Sequence, residues 1–333
     1  MIQILLLLAV FLGMNMGVSG FSISFTPSYG SGLLTRTKAS LFYMIFVLIG
    51  GILIGPRVVN TLTTKISQAS FGAYSGLIII ISTALIMFVA NLLKIPQSTS
   101  FVTVGAFAGA AFYYNKSVNW YTILKIFYIA ALFCIFAFLS TYFIKKIFYP
   151  PRNSNFRLYE KFSQLESKLK KFIIWANCYS AFAIGTNNIA NVVAPVMLSF
   201  SDKQLCICND CVNPMLCILP VGLSFGIGSF IFGKSVINTI SKEIIPIGQL
   251  SASIISFVTA TFVIIASLIG LPTPYVQFTT FSVLAISSVK DGFYLTYKKS
   301  VVQKIIFVWI VTPIIAFLLS YLLHLVVETM LIS

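Results

Sequence analysis

The chain has 333 residues, 58% of them hydrophobic and only 9% charged, with a mean hydropathy of +0.98. Soluble domains carry roughly 25% charge, so this chain cannot cover a water-facing surface and must be solvated by lipid. Its formal net charge of +15 would suggest nucleic acid in a soluble protein, but the placement of the charges ties it to membrane topology instead.

Residues 1–13 are an apolar run that lacks the basic n-region of a secretory signal, and they read as a first retained helix. Residues 14–35 include Asn15, Gly17, Ser19, Gly20, Ser22, Ser24, Thr26 and Ser28. They are too polar for a lipid-facing helix and are expected to line a site, because irregular or polar backbone survives in a membrane only where protein or a watery cavity surrounds it. Apolar runs follow at Ala39–Ile54, Ala73–Leu93, Trp120–Ile144, Ile254–Leu271 and Ile305–Val327. Each approaches or exceeds the roughly 20 residues that a spanning helix needs.

Two segments half a chain apart repeat one pattern. Gly55, Val58, Asn60, Thr61 and Ile66 recur at the same offsets as Gly233, Val236, Asn238, Thr239 and Ile244, with Gly50 matching Gly228 upstream. The chain therefore reads as a duplication. Between the halves, Lys145, Lys146, Arg152, Arg157, Lys161, Lys168, Lys170 and Lys171 face only Glu160 and Glu166. This excess of Lys and Arg marks a cytoplasmic linker with affinity for anionic lipid, and no interleaved aromatics point to nucleic acid. The expected domains are a first transmembrane repeat over 1–147, a basic linker over 148–171 and a second repeat over 172–333. With the linker inside and an odd number of crossings per half, the repeats are inverted and both chain ends lie outside. A duplicated membrane protein with small polar residues buried in each copy has the layout of a secondary transporter, whose site forms where the repeats meet near the midplane. The second copy's polar stretch is Gly185 to Pro195, in which Asn187, Asn188 and Asn191 place at least two amides on one helical face.

At these residues the chain resembles the inorganic phosphate transporter (PiT) family, whose two signatures read Gly-Ala-Asn-Asp-x-Ala-Asn. Gly185, Thr186, Asn187, Asn188, Ile189, Ala190 and Asn191 match the second signature, with Asn188 in the Asp position. Gly17, Ser19 and Gly20, followed by Gly30, Ser31 and Gly32, resemble the first, with Ser19 in the Asn position and Gly20 in the Asp position. The family's Pro-x-Ser-Thr-Thr loop is similar to Pro96-Gln97-Ser98-Thr99-Ser100, and more distantly to Pro272-Thr273-Pro274-Tyr275. Within the family the pattern looks nearest to the bacterial sulfate permeases. The resemblance implies an all-α polytopic protein of two inverted repeats with broken or re-entrant helices around a midplane substrate site. It also implies an anion site drawn from Ser19, Gly20, Ser98, Thr99, Gly185, Asn187, Asn188, Asn191 and Gln277.

The departures carry chemistry. Both signature carboxylates are missing. Hydrogenphosphate can donate a hydrogen bond to a buried carboxylate, whereas sulfate is acceptor-only and meets bare repulsion. Neutral hydroxyl, amide and helix N-terminal donors suit sulfate better. Loss of carboxylate also weakens a sodium site, so proton symport is expected ahead of sodium symport. The expected function is import of sulfate across the inner cell membrane, with phosphate as the alternative substrate and a passive anion channel as a further one. Transporters of this layout are often dimers, which makes a homodimer the assembly to test. A membrane enzyme is disfavoured, because the seven acidic residues fall mostly in or beside loops and no nucleophile arrangement, zinc-protease motif or Walker loop occurs. No cofactor is expected.

Other residues take plainer readings. His324, the one histidine, is read as packing or an interfacial anchor, with a proton relay as the sharper alternative. Asp291 is read as a loop pair with Lys290. Arg57 and Lys234 are read as snorkelling side chains or as a positive rim for anions. Cys206, Cys208, Cys211 and Cys217 match neither a paired zinc spacing nor a ferredoxin run, which leaves an incidental or disulfide-forming cluster ahead of a metal site. Cys134 and Cys178 are read as packing residues.

Overall fold

The computed structural model describes residues 2–29, 32–66, 71, 74–92, 97–114, 118–148, 166–200, 214–236 and 248–332. The first half runs α1 (Ile2–Tyr29), α2 (Arg36–Leu53), α3 (Gly55–Asn60) with a π turn over Thr61–Lys65, α4 (Ser75–Leu92), α5 (Thr99–Tyr113) and α6 (Trp120–Phe148). The second half runs α7 (Glu166–Phe200), α8 (Pro214–Val236), α9 (Gln249–Leu268), α10 (Tyr275–Asp291), α11 (Phe293–Lys298) and α12 (Ser300–Ile332). Apolar sequence in lipid must satisfy each backbone donor within its own segment, and helices do so.

Among the described residues six helices, α1, α2, α6, α7, α9 and α12, are long and apolar enough to cross a membrane. Helix α7 is the central one, with 89% of its apolar window buried, against 28% for α6 and 33% for α12. The last two display Leu124, Tyr128, Phe136, Phe143, Phe307, Ile310 and Leu318 outward, as lipid-facing helices should. Helix α5 is the opposite case. Its 15 residues span about 22 Å at 1.5 Å per residue, short of a core about 30 Å thick, and Thr99 to Ala111 are all buried.

Glycine sets the helix contacts, since apolar side chains gain nothing by leaving equally apolar lipid and close backbone packing must supply the attraction. Gly17 of α1 lies on the backbone of Phe225 in α8, and its repeat counterpart Gly185 of α7 lies on Val47 in α2. Gly228 of α8 lies on Met14 in α1, and its counterpart Gly50 of α2 lies on Phe182 in α7. A Cβ at any of the four would collide with a backbone carbonyl. The glycines matched between the halves thus make corresponding contacts, each on a backbone of the other half. Of the short helices, α5 follows the same rule, with Gly105 and Gly109 on the backbone of Pro313 and Phe317 in α12, while α10 packs on α6 without glycine.

Two features refine the sequence reading. Helix α7 starts at Glu166, so Lys168, Lys170 and Lys171 begin a helix that continues into the apolar core; residues 149–165 of the linker lie outside the described residues. The polar stretch 14–35 is helical through Tyr29 despite Pro27. Asn177 of α7 bridges the helix there. In the amide orientation that satisfies all its neighbours, Nδ2 donates to the Ser24 carbonyl at 2.9 Å and Oδ1 accepts from the Ser28 amide at 3.1 Å and the Ser28 hydroxyl at 2.6 Å. An uninterrupted helix would join the Ser24 carbonyl to the Ser28 amide directly.

Candidate functional site

Two helix N-termini meet in the interior. Helix α5 begins after Ser98, whose extended backbone and side-chain oxygen cap the first turn by accepting from the Phe101 amide at 3.4 Å. Its partner α10 follows a sharp reversal at the end of α9. Gly270, at φ 76°, lets the Leu271 amide reach the Ala266 carbonyl at 2.9 Å and the Gly270 amide reach Ser267 at 2.9 Å, which closes the helix with the Schellman pattern. Arg57 adds a donor to the neighbouring Leu268 carbonyl at 2.8 Å. Pro272 and Pro274 then hold the lead-in extended, and the Pro274 carbonyl starts α10 by accepting from Gln277 at 3.1 Å and Phe278 at 3.2 Å.

Helix α7 ties the two starts together. Asn187 Nδ2 donates to the Thr273 carbonyl and to Thr273 Oγ1 at 3.1 Å, while Asn187 Oδ1 accepts from the Thr273 amide at 3.3 Å. Ser100 donates to the same Thr273 carbonyl at 2.9 Å. One turn on, Asn191 Nδ2 donates to Ser100 Oγ at 3.0 Å and Thr99 Oγ1 at 3.4 Å. Asn191 Oδ1, fully buried, has no partner among the described residues. Thr186 joins α9 through Ser267 Oγ at 3.0 Å, and Ser180 meets the phenol of Tyr275. Every group in this cluster is neutral. A patch of amides and hydroxyls between two helix N-termini favours an anion.

The expected residues divide by what they hold. Asn187, Asn191 and Thr99 are brought together and engaged with protein, and Gly185 lies at the α2 contact described above. Ser98, as the cap of α5, uses an acceptor lone pair and keeps its hydroxyl hydrogen. The side chains of Asn188, 9% exposed, and Gln277, 5% exposed, make no hydrogen bond among the described residues. Ser19 is half-buried, and no hydrogen bond joins it to the cluster. Gly20 has no room for a side chain: a Cβ there would run into the hydroxyl of Tyr43, a buried residue of α2. That hydroxyl has no partner among the described residues, and its ring is held edge-on by Phe21 at 5.6 Å and Phe25 at 6.2 Å. Sequence reasoning missed Thr273 as the hub, together with Ser100, Asn177, Tyr43 and the Ser180–Tyr275 pair. Only helical spacing offered a signal: 177, 180, 184, 187, 188 and 191 share one face of α7.

The remaining polar residues fall elsewhere. Arg57 serves a helix C-terminus rather than an anion rim, and the side chain of Lys234 lies outside the described residues. Asp291 pairs with Lys299 at 2.8 Å, not with adjacent Lys290. Cys134, Cys178 and Cys217 are buried free thiols; Cys206, Cys208 and Cys211 lie outside the described residues. His324 is fully buried, which removes the interfacial-anchor reading.

Comparison with known proteins returns one consistent picture. The model of the phosphate transporter family matches residues 16–320. A sulfate permease, CysP, of Bacillus subtilis is 33% identical over 321 residues, 96% of this chain and 86% of that protein. The human sodium-dependent phosphate transporter 2 is 29% identical over 144 residues, 43% of this chain and 22% of that one. A solved sodium-dependent phosphate transporter superposes with a TM-score of 0.78 at 20% identity, covering 98% of this chain and 99% of that chain.

Proposed function

The chain belongs to the phosphate transporter family, a family of multi-pass membrane transporters rather than enzymes, and we propose that within it this protein imports sulfate. The observation that carries the reading is the junction of α5 and α10. There the N-termini of α5 and α10 are tied together beside the capping Ser98, none of the side chains bonded in the cluster is a carboxylate, and the buried amides of Asn188 on α7 and Gln277 in the first turn of α10 make no hydrogen bond among the described residues. Sulfate accepts hydrogen bonds and donates none, so it is held best by neutral donors and helix dipoles. The sulfate permease of Bacillus subtilis, similar over nearly the whole chain, supports the same substrate.

The exchanged glycine contacts support two inverted repeats, with the hairpins α4–α5 and α9–α10 as the re-entrant pair. In this reading residues 1–147 and 172–333 are the repeats, the basic linker is cytoplasmic, the bilayer is the cell membrane and the protein works as a homodimer. Proton symport is favoured over sodium symport, since a cluster of neutral ligands is a poor sodium site. Phosphate is the second reading, favoured by the names of the shorter-matching relatives. Uptake of labelled sulfate and phosphate into proteoliposomes, under separately imposed proton and sodium gradients, tests all of this. Sulfate accumulation driven by the proton gradient is expected, and accumulation of phosphate alone refutes the substrate.

A further inference from the structure

The α4–α5 hairpin carries Ser98 to Ser100 at its tip, and its foot is tied to α12 by a chain of polar groups that the anion cluster does not use. His324 Nδ1 lies 2.7 Å from the Ser320 carbonyl, and Nε2 lies 3.1 Å from Ser75 Oγ at the start of α4. Ser75 Oγ in turn lies 3.2 Å from the hydroxyl of Tyr114, the residue that ends α5. That phenol donates to Glu328 Oε1 at 2.7 Å. Tyr113 packs its ring 5.6 Å from the imidazole and 6.0 Å from Tyr321. Among the described residues the titratable groups facing the cluster are Tyr113 and Tyr114 from the α5 end, and Tyr321 and Glu328 from α12, while α4 presents Ser75. Among the described residues no Lys or Arg pairs with Glu328.

Counting hydrogens decides what this chain holds. A carbonyl only accepts, so His324 Nδ1 carries a hydrogen, and a neutral imidazole then has a bare, accepting Nε2. With Glu328 ionised, the Tyr114 hydrogen points at the carboxylate, and towards Ser75 the phenol can only accept. Ser75 has one hydrogen for two acceptors, and one link stays open. A single added proton repairs it in either of two ways. Imidazolium can donate to Ser75, Ser75 to Tyr114 and Tyr114 to the carboxylate; or a protonated Glu328 can donate to Tyr114, with each later hydrogen reversed as far as His324 Nε2. Both arrangements close every link and leave the cluster with no net charge. Without the proton the four groups carry one net negative charge and one link between them stays open, beside a fully buried imidazole.

We infer that His324, Ser75, Tyr114 and Glu328 form a one-proton binding site that latches the foot of the α4–α5 hairpin to α12. Its coupling role rests on the reading of the chain as a proton-driven oxyanion importer. The latch has a stiff route to the anion cluster. Gly105 and Gly109 set α5 directly on the α12 backbone at Pro313 and Phe317, and Gln97 at the tip donates to Thr312 of α12. Loss of the proton frees the foot of a rigid hairpin whose other end supplies the Ser98 cap.

The test has two arms on the full-length protein in lipid nanodiscs and proteoliposomes. Because the chain has one histidine, 15N-histidine labelling gives one imidazole, whose Nε2–H signal reports the proton with no substrate present. At mildly acidic pH the wild type is expected to show either that signal or, with the proton on Glu328, a protonated-carboxyl infrared band that Glu328→Gln removes, and Glu328→Gln and Tyr114→Phe are expected to lack the imidazole signal. Absence from the wild type of both that signal and a protonated-carboxyl infrared band that Glu328→Gln removes, or persistence of the imidazole signal in both variants, overturns the site. In the second arm, inward proton-gradient accumulation of sulfate should fall about tenfold in Glu328→Gln and His324→Gln, the effect of one lost charge-assisted link, while sulfate counterflow continues. Undiminished accumulation in both variants overturns the coupling role. If neither sulfate nor phosphate enters with the wild type while the imidazole behaves as stated, the importer reading fails and the proton site stands.

Discussion

Replacing Asn188 by Asp puts a carboxylate where α7 now offers a free amide, and it separates the two substrates. Asn188 is 9% exposed and follows Asn187, which is buckled to the start of α10. A carboxylate there is held beside the presumed anion without bulk water to screen it. At a separation of about 4 Å and an effective dielectric near 20, the repulsion is about 4 kcal/mol per unit of anion charge. At 1.4 kcal/mol per tenfold, each unit of anion charge corresponds to about a thousandfold weaker binding. Sulfate has no proton to relieve the repulsion. Monohydrogenphosphate can donate its hydrogen to the new carboxylate and should lose much less. The assay is competition of sulfate and phosphate for labelled-sulfate uptake, or counterflow, in proteoliposomes, read as the ratio of the two apparent affinities. A folding defect lowers both and leaves the ratio unchanged. Sulfate affinity that survives Asn188→Asp, with the protein normally inserted, would show that Asn188 does not face the anion and would remove the argument from missing carboxylates to sulfate.

Two further outcomes follow from the geometry. Asn187→Ala breaks the two-way link to Thr273 and leaves the Thr273 amide unpaired, although Ser100 still serves the carbonyl; the cost should be about 1–3 kcal/mol, seen as a lower thermal midpoint for the purified protein. An unchanged midpoint would refute the role of Asn187 as the buckle on α10. Gly20→Ala should lower the midpoint because its Cβ meets the Tyr43 hydroxyl; Tyr43→Phe removes that oxygen and should restore most of the loss. Strictly additive effects of the two substitutions would show that the collision is relieved elsewhere.

The sequence by itself determined that the chain lives in lipid and that it is helical, and it supplied the repeated offsets from which a duplication is read, because composition, run length and offsets are local properties of the chain. Each of the five apolar runs falls on a helix, and the repeat glycines Gly50 and Gly228 make matching contacts. Of the residues the motif selected, the structure brings Asn187, Asn191 and Thr99 together at the start of α5 and α10. What the motif left undecided was their partners, since a hydrogen bond between Asn187 and Thr273, or between His324 and Ser75, joins residues far apart in sequence and leaves no periodic trace. Asn187 reads as an anion donor until the structure shows its amide committed to Thr273, which leaves Asn188 and Gln277 with free amides instead. Gly20 reads as a vacant carboxylate position until Tyr43 is seen to fill the space from another helix. His324 reads as packing because burial and hydrogen count are properties of the assembled core. The proton it is inferred to hold follows only once α4, α5 and α12 are placed around it.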